Sequence, residues 1–173
     1  MHFFLYFLAP SSDMSEFDAF LCYSKHDRDW VKMLLKGLEE RKYRCCVDFR
    51  DFLVGAYIVD NIYKAINTSR KTIAVLSPDF VESEYCKHEL QTALSFQIQH
   101  QVIPILIRPC EVPPFLQDNI TYLEWCQPDV SPYFWEHLAR SLGRKTPNTV
   151  TDLENVNETC RIIVDVSMDH IKT

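Results

Sequence analysis

The spacing of apolar residues changes along this chain, and each change predicts an element. Phe17 to Tyr23 is a short, almost continuous apolar run between polar residues, the pattern of a strand buried on both faces. From Arg28 to Glu40 the apolar side chains fall at Trp30, Leu34 and Leu38, with Val31 and Leu35 beside them, which gives a helix one apolar face. Asp27 or Asp29 can cap its start and favour its dipole. Tyr43 to Asp48 reads as a second strand. Ile58, Ile62, Ala65 and Ile66 mark a second helix that ends in the polar Asn67 to Ser69, and Thr72 to Leu76 is a β-rich run closed by Ser77-Pro78.

A third helix is expected from near Ser83, because Cys86, Leu90, Leu94 and Ile98 are spaced by four with Ala93 on the same stripe. Val102 to Ile107 is apolar throughout, and Pro104, which has no N–H to give a ladder, suggests an edge or irregular position. Thr121 to Trp125 offers a short last strand. Phe134, Leu138 and Leu142, with Trp135, define a final helix ended by Gly143. Strand and helix thus alternate five times, which predicts a parallel sheet covered on both faces, since parallel strands need crossovers. Functional groups then gather beyond the carboxyl ends of the strands. Three loops meet that condition: Ser24 to Asp29, Arg50 to Gly55, and Ser77 up to the third helix.

With 173 residues, the chain fits one domain with tails: an extension over 1–15, a domain over 16–145 and a flexible tail over 146–173. The apolar His2 to Ala9 is far shorter than the roughly 20 residues of a spanning helix, so no direct membrane insertion is expected. A net charge of −6 argues against nucleic acid, whose phosphates would be repelled. Seven cysteines without a CxxC spacing read as reduced thiols in a cytoplasmic protein, with no zinc site.

The stretch Val47 to Ile58 stands apart. It leads from a strand to a helix through an Arg50-Asp51 pair, three apolar residues, Phe52, Leu53 and Val54, that a loop tip would expose, and Gly55. Exposed apolar groups ask for a partner or a pocket. Asp51 can brace the loop by accepting backbone N–H groups, as turn aspartates do, leaving contact to the tip.

From about Phe17 to Arg144 the chain resembles a Toll/interleukin-1 receptor (TIR) domain of the Toll-like receptor type. The three sequence boxes of that family are matched in order by Phe17-Asp18-Ala19-Phe20, by Arg50-Asp51-Phe52 through Gly55, and by Phe134-Trp135. Ser69-Arg70-Lys71-Thr72 and Tyr85-Cys86-Lys87-His88-Glu89-Leu90 match the linking segments. The resemblance implies a flavodoxin-like sheet in the order 2-1-3-4-5. It also implies a non-enzymatic module of innate-immune signalling that needs no cofactor and binds other TIR domains through Arg50, Asp51, Phe52, Leu53, Val54 and Gly55. The family usually has proline where this chain has Val54, and tryptophan where it has Tyr85. Proline would fix φ, so Val54 should leave the tip more mobile.

A second branch of the family hydrolyses NAD with a glutamate, and the position that matches is Glu89. A carboxylate beside the ribose would stabilise the positive charge that develops as nicotinamide leaves. The resemblance then makes Glu89 catalytic, NAD a substrate, and Ser24, Lys25 and Cys86 candidates for nucleotide contacts. Signalling members share this glutamate without using it, and a carboxylate at the edge of an amphipathic helix is ordinarily solvated or ion-paired. Cys86 and His88 cannot act together, because residues two apart on a helix point about 200° from each other. His26 is a possible ligand contact, although a lone loop histidine is more often only solvated.

Overall fold

Side-chain alternation decides which way each strand faces. The computed structural model describes residues 15–83, 102–117, 121–125, 133–143 and 145. Its elements are Phe17–Cys22 (β1), Arg28–Glu40 (α1), Cys45–Cys46 (β2), Asp48–Asp51 (α2), Ile58–Thr68 (α3), Ser69–Leu76 (β3), Pro78–Glu82 (α4), Val102–Leu106 (β4), Pro114–Gln117 (α5), Leu123–Glu124 (β5) and Phe134–Leu142 (α6). All strand pairs are parallel, and the sheet order is β2-β1-β3-β4-β5. This is the flavodoxin-like order that the resemblance implies.

On one face Ala19, Leu21, Ile73, Val75, Ile103 and Ile105 pack against α1 and α6. Their alternates turn the other way: Phe20 and Cys46 meet Ala65 and Ile66 of α3, while Ala74, Leu76, Val102 and Leu106 meet Phe80 of α4 and Leu116 of α5. Helices α1 and α6 are close neighbours. A Cβ built on Gly37 would lie 2.1 Å from the Trp135 ring, so only glycine admits that indole. The Arg41 guanidinium covers the same ring from 4.1 Å. Gly143 ends α6 at φ 69°, where a side chain would be strained.

At the amino ends of the strands, Asp18 is fully buried, accepts from Arg70 Nη2 at 2.9 Å and from the Arg44 N–H at 2.7 Å, and so ties β1 to the segments on either side. The family-like acid of the first strand is therefore a tether within the fold.

Several expectations need correction. The second strand is only Cys45–Cys46, and Asp48 opens the helical turn α2 instead of ending a strand. The start of α1 receives no side-chain cap from Asp27, whose carboxylate is engaged elsewhere. Pro104 lies in β4, between β3 and β5, not in an edge strand. Its missing N–H is tolerated because the β4–β5 ladder begins one residue later, at Ile105 opposite Leu123. Ser77-Pro78 closes β3 as expected, and it also starts a helix: Ser77 Oγ accepts from the Phe80 N–H at 3.1 Å, with Pro78 in the first turn. The third helix expected from near Ser83, residues 1–14 of the extension expected over 1–15, and the tail over 146–173 lie outside the described residues.

Candidate functional site

The loop after β2 is built from its base upward. Val47 donates its N–H to Asp51 Oδ2 at 2.8 Å, closing the turn of α2 on itself. Arg50 places Nε 3.0 Å from Asp51 Oδ1 and Nη1 2.7 Å from Glu39 on α1, and Nη2 donates to the Cys45 carbonyl. The hydrogen bonds that Arg50 donates to Asp51 and Glu39 push its pKa still further above its usual range. Asp51 thus braces the loop, and Arg50 joins that brace to α1 and β2.

The three apolar residues then part company. Phe52 is half-buried and stacks on Phe20 with ring centroids 6.0 Å apart, so the expectation that it is exposed at the tip fails. An aromatic ring beside a sheet end gains more from a neighbouring ring than from water. Leu53 is 59% exposed and Val54 fully exposed. Gly55 follows at φ 87°, with open space around it, so the backbone conformation alone calls for glycine. The buried Asn61 of α3 holds the tip from behind: Leu53 donates its N–H to Asn61 Oδ1 at 3.0 Å, and Asn61 Nδ2 donates to the Leu53 carbonyl at 3.1 Å. Nothing in the sequence pattern singled out Asn61, because a polar residue inside a helix is usually solvated.

Phe52 also walls a cavity of about 600 Å³ beyond the carboxyl end of β1. Its apolar side is Phe20, Ile58 and Ile62, and its polar rim holds Ser24, Lys25, His26, Asp48 and Asp79. Ser24 and Lys25, picked out in the sequence, therefore lie at one opening; Cys86 and Glu89 lie outside the described residues. On the rim Tyr23 donates to Asp48, which Arg28 Nη2 approaches to 3.2 Å. Burial and the Asp48 carboxylate push the Tyr23 hydroxyl well above its usual pKa.

Behind the rim stands a cluster whose connections sequence reading did not show. Asp27, with 5% of its surface exposed, accepts from Ser77 Oγ at 2.5 Å and from Arg108 Nη2 at 2.6 Å, and Arg108 also donates to Asp79. The Arg108 guanidinium holds the Asp79 carboxyl below its usual range. Asp27, Ser77 and Asp79 lie in loops that the sequence marked as following strand ends, whereas Arg108, beyond β4, lies in a loop that it did not mark. His26 Nδ1 lies 3.5 Å from Ser24 Oγ and 3.7 Å from Asp79 Oδ1. Both neighbours face the same ring nitrogen, so the ring cannot pass a proton between them as a catalytic triad requires. Among the described residues no group of three or more His, Cys, Asp or Glu side chains is placed to hold a metal ion. Among them, too, no helix is long and apolar enough to cross a membrane.

This sheet, with a braced loop beyond its second strand, has close counterparts. The crystal structure of the TIR domain of the Toll-related receptor TRR-2 from Hydra magnipapillata is 44% identical, with a TM-score of 0.66, over 73% of this chain and 98% of that one. Toll-like receptor 2 of the dog is 39% identical over 150 residues, covering 78% of this chain and 19% of the receptor. Human Toll-like receptor 1 is 37% identical over 146 residues, covering 75% of this chain and 18% of the receptor. The chain thus spans less than a fifth of the length of these receptors. Residues 19–142 match the family model described as a TIR domain, and the chain belongs to that family.

Proposed function

We propose that this chain is an interaction module of Toll-type innate-immune signalling, working in the cytoplasm by contact with other TIR domains. The observation that carries this reading is the division of labour in the loop after β2. Arg50 and Asp51 are engaged within the fold, while Leu53 and Val54 are presented to solvent on a tip held by Asn61. A fixed base with an apolar tip suits docking, because the entropy of ordering the contact residues is largely lost before a partner arrives. A net charge of −6 favours a protein partner over nucleic acid.

Capture of the matching 150-residue segment of the dog Toll-like receptor 2 by the immobilised full chain tests the reading. Wild type should retain it, and Leu53→Glu should abolish retention while leaving the melting temperature in place. Full retention by Leu53→Glu would overturn the assignment of the tip. Incubation with NAD provides the opposing check: nicotinamide release by wild type and not by Glu89→Ala would replace this reading with a glycohydrolase.

A further inference from the structure

The docking tip does not account for all the exposed apolar surface. Among the described residues ten large apolar side chains are exposed, and seven of the ten lie between residues 49 and 63. The concentration runs past the tip onto the outer face of α3, where Val59 is 52% and Tyr63 53% exposed, with Tyr57 82% exposed just before the helix. A solvated helix face is ordinarily polar, so this one asks for a cover.

The geometry of α3 restricts what that cover can be. At about 100° per residue, Val59 and Tyr63 form one ridge, and Asp60 and Lys64 form a second ridge beside it. Asp60 lies nearer the amino end and Lys64 nearer the carboxyl end. If two copies of this helix lie antiparallel about a two-fold axis, apolar ridge meets apolar ridge and charged ridge meets charged ridge. The direction reversal then sets each Asp60 opposite Lys64 of the second copy. A parallel pair would instead lay the apolar ridge of one helix on the charged ridge of the other. The face is therefore complementary to itself in one arrangement, which is what a two-fold interface requires. Antiparallel packing also opposes the two helix dipoles.

We propose that the outer face of α3 pairs with α3 of a second copy of this chain, antiparallel, through Val59 and Tyr63 and through crossed Asp60–Lys64 contacts. The proposal rests on the reading that this chain works by assembling with TIR domains, and it assigns self-pairing to α3 while the loop tip remains available to a different partner. The ridge is smaller than the roughly 800 Å² that each partner contributes to a standard interface. The pair is accordingly weak and forms when copies are concentrated.

Sedimentation equilibrium of the full chain over rising concentration tests this. Wild type should self-associate, less so as salt is raised, because the crossed pairs are exposed. Asp60→Lys and Lys64→Glu should each weaken association by at least about tenfold, since the two-fold axis turns two attractions into two repulsions. The double variant D60K/K64E restores opposite charges across the axis and should recover association to within about threefold of wild type. A wild-type chain that stays monomeric, single variants that associate normally, or a double variant as weak as the singles would each overturn the proposal. Capture of the Toll-like receptor 2 segment, measured on the same proteins, separates it from the tip assignment. Loss of self-association with capture intact supports α3 pairing, whereas a monomeric wild type that still captures the segment overturns the pairing and leaves the tip assignment standing.

Discussion

Helices α1 and α3 each bury one apolar face against the sheet, on opposite sides, and differ in what they turn outward. The outer face of α1 carries Asp29, Lys32, Lys36, Glu39 and Glu40, with Asp29 and Lys32 paired at 3.1 Å and Met33 as its one exposed large apolar residue. The outer face of α3 carries Val59 and Tyr63, with Asp60 and Lys64 as its charges. Propensity does not explain the contrast, since β-branched and aromatic residues are no better helix formers than the lysines and glutamates of α1. Burial does not explain it either, because these side chains are not buried within one chain. Inward faces answer to the fold; the outward face of α3 answers, on the pairing proposed above, to a second copy. The comparison predicts that changes on the α1 side cost stability, and that changes on the outer side of α3 and its loop cost association.

The largest expected effect is at Gly37. Gly37→Ala would press a methyl group into the Trp135 ring and should destabilise the protein by about 2–3 kcal/mol, read as a lowered denaturant midpoint. A normal midpoint would show that the α1–α6 contact yields easily.

Adjacent cysteines probe whether the inner faces are equally dry. Cys45 packs in the α1 cluster and Cys46 in the α3 cluster, and desolvation by burial raises both thiols from about 9 to about 12. Below pH 9 folded and unfolded chains both keep these protons. Above it the unfolded chain loses protons that the folded chain retains, so stability should fall as pH rises from about 9 towards 12. Cys45 contributes about 1.4 kcal/mol per pH unit to that slope, and Cys46 somewhat less. Equilibrium unfolding at pH 8, 9 and 10 with Cys45→Ala and Cys46→Ala checks this, and a slope unchanged by either variant would contradict the dry interior.

Asn61→Ala removes two hydrogen bonds to Leu53 and should cost about 1–2 kcal/mol. Its sharper signature is local: the 53–55 tip should become a site of rapid proteolytic cleavage while the sheet stays protected. The smallest effect on stability belongs to the outer face, where Tyr63→Ser should stay within about 0.5 kcal/mol of wild type and still reduce self-association. A large loss of stability there would erase the distinction between the two helices.

Where a residue's neighbours in sequence determine its role, the sequence was sufficient. The stripe from Trp30 to Leu38 placed α1 at the residues observed, and the run at Thr72 to Leu76 placed the core of β3. The motif resemblance supplied the strand order. Contacts between distant segments were not legible. Asp27 looked like a helix cap and is instead engaged with Ser77 and Arg108, 50 and 81 residues away. Phe52 looked like a tip residue because nothing nearby in sequence revealed Phe20 waiting beneath it. Hydrophobicity located the loop, but only the packed sheet showed which of its three apolar residues faces inward.

The brace at Arg50 has a bearing on how such a module changes over generations. Arg50 and Asp51 secure the loop through Glu39, the Cys45 carbonyl and the Val47 N–H, and none of those contacts involves the side chains of Leu53 or Val54. Substitutions at these two positions are therefore nearly silent in folding. On the docking role proposed for the tip, partner preference can then change one residue at a time on an unaltered base, Val54 included.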